Sequence, residues 1–209
     1  MQNLLLAPIR IDLLLESVAG FIALAVSHYA SKAYRLTGQK KLSDLSTGFL
    51  VLSAAMFGRV IGTWYFFVLQ AGDGGTPSGD SLIVVVRIAY GAMKVMAYIL
   101  FAISTRPTTG GHSPALSLFM ALPILIDPNL DMIAIVVLIV VVLQSAMNYL
   151  AVRSRYALYV LLGFSFLLLS HVSAIHAQDD LRGYALSQVF QFLGYIALLV
   201  MLIKAGREA

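Results

Sequence analysis

Apolar runs alternate with short polar segments along the whole chain. The runs cover residues 12–34, 43–69, 81–104, 113–126, 131–152, 156–177 and 184–204. A helix needs about 20 mostly apolar residues to cross the hydrocarbon core of a bilayer. All the runs except 113–126 meet that length, so the pattern predicts an all-α integral membrane protein without a separate soluble domain.

The fourth run, 113–126, is short and contains Pro123. By length alone it could be a re-entrant segment rather than a span. The flanking charges favour a span, because Arg106 precedes the run while Asp127 and Asp131 follow it. Loops rich in Lys and Arg stay on the cytoplasmic side of a membrane. We therefore expect the chain to cross here, in a short helix kinked at Pro123.

Basic and acidic segments alternate between the runs. The segments after the first, third, fifth and seventh runs are basic, and the others are acidic. The basic residues are Lys32, Arg35, Lys40, Lys41, Arg106, Arg153, Arg155, Lys204 and Arg207, and the acidic ones are Asp12, Asp73, Asp80, Asp127, Asp131, Asp179 and Asp180. This alternation predicts a multi-pass protein of the cell membrane, a bundle of seven transmembrane helices with its N-terminus outside and its C-terminus inside.

Composition agrees with a membrane protein and excludes several functions. Apolar residues make up 60% of the chain, charged residues 11%, and the mean hydropathy is +0.88. The basic residues lie in scattered loops without a patch, so the net charge of +4 gives no reason to expect nucleic-acid binding. The absence of cysteine excludes disulfides and iron–sulfur clusters. No catalytic motif occurs within the spans, so an enzyme is not predicted.

Short sequence matches relate the two halves of the chain. Gly48–Leu52 matches Gly163–Leu167, and Ala97–Ile99 matches Gly194–Ile196. Each match falls in a corresponding run of its half. The alternative is that glycine, phenylalanine and leucine recur by chance in apolar sequence.

If the matches mark a repeat, the chain is a single transmembrane domain in a 3+1+3 arrangement. Two three-helix units in the same orientation, 11–106 and 130–207, would be joined by the short helix 113–126. Parallel repeats of this kind build several transporters, with the substrate site between the halves. The repeat therefore predicts where a site would lie.

A few charged residues lie inside the predicted spans, between roughly 6 and 18 Å below the outer boundary at about 1.5 Å rise per residue. Each costs at least ~2.5 kcal/mol at the bilayer centre, so each should face protein or a water-filled cavity. A histidine and two glutamines fall in the same band. The sequence thus predicts a cluster in the outer half that binds a ligand or forms ion pairs: Glu16, Arg59, Arg87, Lys94, His171, Gln188 and Gln191.

The predicted cluster contains more cations than acids. Glu16 is the acid within the spans, against the cations Arg59, Arg87 and Lys94. An anionic ligand, a cofactor carboxylate or an acid of another subunit could neutralise the excess. A structural role is the alternative, since Arg87 and Glu16 are within snorkelling reach of the interface and Arg59 could bind backbone carbonyls. An ion or proton path is the third hypothesis.

The histidines give a cofactor hypothesis. A haem b held by two histidines is not supported, because His28 and His171 lie at different depths. Ligation by His171 together with Met56, or a quinone at the cluster, remains open. The alternative is a hydrogen bond from His171 to a neighbouring helix.

The fifth run predicts a surface of the bundle. Residues 132–143 are apolar on every side. A helix of this kind is typically exposed to lipid or packed against another apolar surface. We expect it to face the lipid bilayer or another subunit.

Three function classes follow from these observations. The first is a non-catalytic subunit of a larger membrane assembly, energy-converting or electron-transferring, whose partners are other membrane subunits or a second copy of the chain. The second is a small-molecule transporter with its site between two three-helix repeats. The third is a membrane sensor module that binds a ligand at the outer cluster.

Overall fold

The computed structural model describes residues 2–73, 78–106, 130–176 and 181–208. These ranges contain six α-helices and no strand: α1 (Gln2–Thr37), α2 (Lys40–Asp73), α3 (Ser78–Ser104), α4 (Leu130–Val152), α5 (Arg155–His176) and α6 (Leu181–Glu208). All six are long and apolar enough to cross a membrane. The predicted all-α, multi-pass class is confirmed for this part of the chain. The predicted fourth span, 113–126, lies outside the described residues.

The six helices coincide with six of the predicted spans. Their ends agree with the apolar runs to within a few residues at most positions, but α1 begins at Gln2 rather than near residue 12, and α6 continues to Glu208. A helix can continue beyond the predicted span because its backbone hydrogen bonds do not depend on the membrane. Hydropathy therefore located the spans better than it located the helix ends.

Two turns of the same kind join α1 to α2 and α4 to α5. Each turn has two residues, Gly38–Gln39 and Arg153–Ser154, between the helices. The first residue of each adopts a left-handed backbone, with φ of 67° at Gly38 and 50° at Arg153. Its N–H donates to the carbonyl four residues earlier, at 2.8 Å and 2.7 Å. This is the αL ending common at helix C-termini, and it reverses the chain sharply.

The described helices form a closed ring. Each helix contacts its neighbours in the chain order of the six, and α1 contacts α6. Helices α1 and α2 are antiparallel, because Ser27 near the end of α1 hydrogen-bonds Ser46 near the start of α2. Helices α5 and α6 are also antiparallel, since the ring of Phe166 stacks on that of Phe190 and Gly163 lies beside Leu198.

Helices α3 and α4 run parallel. Lys94 of α3 lies beside Asp131 at the start of α4. Further along both helices, the Thr105 hydroxyl donates to Gln144 at 2.7 Å and Asn148 donates to the Thr105 carbonyl. It follows that α1, α3, α4 and α6 point in one direction and α2 and α5 in the other.

These directions collect most of the described basic residues at one end of the bundle, which we call the basic end. The Lys41 ammonium there donates to the Arg106 carbonyl at 2.6 Å, so that the start of α2 meets the end of α3. The residues of the basic end are Lys32, Arg35, Lys40, Lys41, Arg106, Arg153, Arg155 and Lys204.

Helix α4, the fifth apolar run, has one face in the core and one on the outside of the bundle. The buried face includes Ile133, Val137, Val141 and Gln144. The opposite face, with Leu143 and others, is exposed. That this exposed face meets lipid or another subunit stays a prediction. An apolar sequence without a polar stripe does not reveal which of its sides packs inward.

Glycines allow the closest helix approaches in both halves. A methyl group built at Gly48 would lie 2.5 Å from the Phe101 ring and 3.2 Å from the Ala97 carbonyl oxygen. A methyl group at Gly163 would lie 2.5 Å from the Leu198 side chain and 3.2 Å from the Gly194 carbonyl oxygen. In membranes, where lipid is as apolar as leucine, such close backbone contact is a main source of helix association.

We expect Gly48→Ala to destabilise the bundle by about 1–3 kcal/mol, because the added methyl overpacks the contact between α2 and α3. The matched control is Gly58→Ala on the same helix, where a methyl group would have no atom within 4 Å. The thermal unfolding midpoint of the purified protein in detergent measures both variants. Equal midpoints for the two variants would contradict this account of the packing.

Candidate functional site

A polar cavity of about 590 Å³ lies at the end of the bundle opposite the basic end. Its volume is in the range that small-molecule sites occupy. Helices α2 to α6 all contribute to its walls. Its polar lining residues are Arg59, Thr63, Arg87, Tyr90, Lys94, Asp131, Ser170, His171, Ser187, Gln188 and Gln191.

The structure brings the predicted cluster together. All its members except Glu16 line the polar cavity, and Glu16 contacts one of the lining residues, Arg59. Five different helices supply these side chains, because the helical phase of each points its polar residues toward the ring's centre. Depth and phase in the sequence were sufficient to find this location.

Glu16 and Arg59 form a buried ion pair between α1 and α2. The carboxylate oxygen and the guanidinium nitrogen are 2.5 Å apart. The Glu16 side chain is only 3% exposed and that of Arg59 is 31% exposed. Removing one partner would leave the other charge buried, which is the costly case in a low-dielectric interior. The pair therefore fixes the register of α1 against α2 at the cavity.

Tyr90 of α3 lies between two cations. The Arg59 guanidinium carbon is 5.2 Å from the centre of its ring and the Lys94 nitrogen is 4.7 Å from it. Each cation–π contact contributes roughly 0.5–2 kcal/mol, more where water is excluded. Tyr90 thus holds two positive charges near each other.

Lys94 pairs with an acid that the sequence placed in a loop. Its nitrogen is 3.5 Å from the Asp131 carboxylate. The lysine side chain is 12% exposed and the aspartate 56%, so the pair lies at the edge of the cavity. The sequence count of a single acid for three cations is therefore incomplete. Asp131, counted in the sequence among the acidic residues between apolar runs, is in the first turn of α4 and lies beside Lys94 of α3.

Arg87 is the third cation of the cavity. It is exposed, and it makes no ion pair with any residue that the structure describes. Among the described residues at the cavity, Glu16 and Asp131 match Arg59 and Lys94, which leaves the positive charge of Arg87 without an ion pair. An anion is the simplest species that could balance this charge.

His171 forms part of the cavity floor. Its Nε2 lies 2.6 Å from the Tyr98 hydroxyl, and both side chains are buried. Below this pair, toward the basic end, buried aromatic rings fill the centre of the ring of helices: Phe49, Tyr98, Phe101, Phe164 and Tyr195. The alternative interpretation of His171, a hydrogen bond to a neighbouring helix, describes this geometry.

These contacts do not support the hypothesis that His171 and Met56 bind a haem iron. The Nε2 atom that would bind an iron is already hydrogen-bonded to Tyr98. Met56 is fully buried in the core rather than at the cavity. Among the described residues, no group of three or more potential metal ligands occurs.

Sequence reasoning missed several neutral lining residues. Thr63, Ser170 and Ser187 line the cavity beside the predicted residues. Ser170 immediately precedes His171, and Ser187 precedes Gln188, so adjacency to a predicted residue was the available signal. Small hydroxyl residues are also common at helix contacts, and the sequence alone does not distinguish a residue at such a contact from one that lines a cavity.

Comparison with known protein families, curated proteins and solved structures gave no significant match to this chain.

Breaking the Glu16–Arg59 pair should be measurable as coupling between the two residues. We expect the double variant to lose less stability than the sum of the losses measured for Glu16→Gln and for Arg59→Gln. The interaction energy should be roughly 1–3 kcal/mol. Thermal unfolding of wild type, both single variants and the double variant closes the cycle. Additive effects of the two substitutions would contradict a direct pair.

Proposed function

We propose that this protein binds a small anion in the polar cavity. The observation that carries the proposal is the charge balance there, with three cations against two acids among the residues that the structure describes. A bound anion would neutralise the remaining charge of Arg87 and so stabilise the site. The cavity has the volume for such a ligand, and Arg87 offers a guanidinium suited to carboxylates and phosphates.

The predicted repeat gains support from equivalent local geometry. An offset of 115 residues relates Gly38 to Arg153 and Gly48 to Gly163. Gly38 and Arg153 share the left-handed turn. Gly48 and Gly163 share the close approach to a carbonyl oxygen at 3.2 Å. Chance matches in apolar sequence would not be expected to share both features.

The polar cavity lies between the proposed halves. Between α3 and α6 the offset is 97 residues, which relates Ala97 to Gly194. By these two offsets, four pairs of equivalent residues line the cavity: Arg59 with Ala174, Tyr90 with Ser187, Gly91 with Gln188, and Lys94 with Gln191. This is the position of the substrate site in transporters built from parallel repeats.

Transport is therefore the second candidate function, favoured by the repeat. The predicted roles as an assembly subunit or a sensor stay predictions, and no described feature favours them. Uptake of radiolabelled anion into proteoliposomes would separate transport from binding alone. Copurification of partners, detected by native mass spectrometry, would favour the assembly subunit.

The parallel direction of α3 and α4 supports seven spans. Thr105 contacts Asn148, whereas Leu130 lies beside Gly91. The described chain therefore leaves α3 at the basic end and resumes at the opposite end of the bundle. We infer that 107–129 crosses the membrane. The positive-inside rule would then place the basic end in the cytoplasm, if the membrane is the cell membrane.

Cysteine labelling tests this topology without background, because the chain has no cysteine. We expect Asn129→Cys to react with a membrane-impermeant maleimide in intact cells. Thr108→Cys and the control Gln39→Cys should react only after lysis. Labelling of both 108 and 129 from the same side would contradict the seventh span.

Anion binding should depend on Arg87. We expect gluconate, pyruvate, glucarate or inorganic phosphate to raise the unfolding midpoint of the wild type at about pH 8, where an ordinary imidazole is neutral. A ligand at 100 times its Kd stabilises by about 2.7 kcal/mol. Arg87→Gln should lose the effect, and isothermal titration should show at least roughly tenfold weaker binding.

The matched control for this experiment is Arg155→Gln, an exposed arginine at the basic end. It should bind the same anion with the wild-type affinity. Absence of binding for all four anions, or unchanged binding by Arg87→Gln, would contradict the proposed function.

A further inference from the structure

An aromatic layer separates the polar cavity from the basic end. It consists of the buried rings that fill the centre of the bundle: Phe49, Tyr98, Phe101, Phe164 and Tyr195. We propose that the aromatic layer is the closed gate of a path that runs through the centre of the bundle, from the polar cavity to the basic end. This inference rests on the proposed function, because it assigns the route by which a ligand of the cavity would cross the membrane.

The aromatic layer joins helices that are not neighbours around the bundle. The ring centroids of Phe49 on α2 and Tyr195 on α6 are 6.2 Å apart. Those of Phe101 on α3 and Phe164 on α5 are 5.4 Å apart. Helices α2 and α3 belong to the first proposed half, and α5 and α6 belong to the second. Each contact therefore spans the space between the halves, and it breaks when one half moves away from the other.

Equivalent positions of the proposed repeat supply rings of the same type. The offset of 115 residues relates Phe49 to Phe164, and the offset of 97 relates Tyr98 to Tyr195. Both halves thus contribute a phenylalanine and a tyrosine to the centre of the bundle. A path between two parallel repeats passes through this centre, since the substrate site of such proteins lies between the halves.

The fifth ring has an equivalent residue of another type. The offset of 97 residues relates Phe101 to Leu198. Each of the two side chains packs on the equivalent glycine of its own half, Phe101 on Gly48 and Leu198 on Gly163. Phe101→Leu therefore gives the first half the side chain that the second half already carries at this position.

The two equivalent tyrosines form the face of the aromatic layer that borders the cavity. The Tyr98 hydroxyl lies 2.6 Å from Nε2 of His171, and the Gln191 amide donates to the Tyr195 hydroxyl at 3.3 Å. His171 and Gln191 both line the cavity. A ligand bound there would therefore touch the hydrogen-bond partners of the gate, which gives the ligand a direct way to influence it.

The aromatic layer is thin along the direction of the path. Thr105 lies on the same face of α3 as Tyr98, seven residues later, which is about 10 Å along the helix axis. The buried Thr105 hydroxyl donates to the buried Gln144 at 2.7 Å, so polar groups resume there toward the basic end. An apolar constriction of this kind excludes water while its side chains are packed together.

Opening requires a movement of one half relative to the other. The contacts at Gly48 and Gly163 lie within the halves, so they can hold each half together while the rings separate. Alternating access in transporters built from repeats is largely a rocking of one repeat against the other. The structure then corresponds to the state that is open at the cavity and closed toward the basic end.

Cysteine accessibility tests the gate without knowledge of the ligand, because the chain has no cysteine. Ser170→Cys places one thiol in the cavity wall. The reagent is sulfonatoethyl methanethiosulfonate, a membrane-impermeant anion. It is added to membrane vesicles in which Gln39→Cys reacts, so that the basic end faces the reagent. With Phe164→Ala, the thiol at 170 should be modified at least roughly tenfold faster than without it, since deletion of a buried ring leaves a void in the layer.

The matched control is Phe166→Ala on the same helix. Phe166 stacks on Phe190 of α6, within one half and outside the aromatic layer, so the rate should not change. Phe101→Leu is a milder second variant, and it should increase the rate by a smaller factor. Circular dichroism and the unfolding midpoint show whether each variant is folded, and Phe101→Leu decides the test if Phe164→Ala is not.

Reaction from the side of the cavity shows that the reagent reaches the thiol. In vesicles of the opposite orientation, Ser170→Cys should react at a similar rate in every variant. A thiol that reacts from neither side would contradict both an open cavity and the gate. A thiol that reacts equally fast from both sides in the otherwise unchanged chain would contradict a closed layer.

The outcomes distinguish the gate from the proposed function. If Phe164→Ala and Phe101→Leu leave the rate from the basic end unchanged, or if Phe166→Ala raises it equally, the gate is overturned even where anion binding is found. If the rate rises as expected but none of the four anions binds, the proposed function is overturned while the gate stands.

Discussion

Neutralising charge inside a membrane is the constraint on which this structure depends. Lipid offers no counter-charge and little water, so a protein must match its buried charges with its own groups or with a ligand. Glu16 and Arg59 do this across α1 and α2, and Lys94 and Asp131 across α3 and α4. Tyr90 links the two pairs through its ring, which contacts the cation of each pair. These contacts decide which helix faces meet at the polar end of the bundle.

The other end of the bundle follows a different physical rule. Below the cavity, contacts at Gly48 and Gly163 bring backbones together, and aromatic rings fill the centre between the halves. Packing of this kind needs no polar groups, and it closes the ring of helices beneath His171 and Tyr98. The molecule thus combines a polar, charged cavity with an apolar, aromatic core. A ligand that enters the cavity meets a floor of buried side chains.

Much of this arrangement could be predicted from the sequence, for definite reasons. Apolar length located six helices, and depth with helical phase located the cluster, because both properties repeat regularly along a chain. The partner of Lys94 could not be predicted, since Asp131 contacts α3 only when α3 and α4 run parallel. Which side of helix α4 packs inward could not be predicted, because an all-apolar helix carries no mark of its buried side. The run 113–126 stays a prediction, as it lies outside the described residues.

The most direct measurement is an experimental structure of the full chain with gluconate. The account predicts density for a single molecule in the polar cavity, with its carboxylate at the Arg87 guanidinium. An empty cavity at saturating gluconate, or density confined to the basic end, would contradict the claim that this cavity holds an anion.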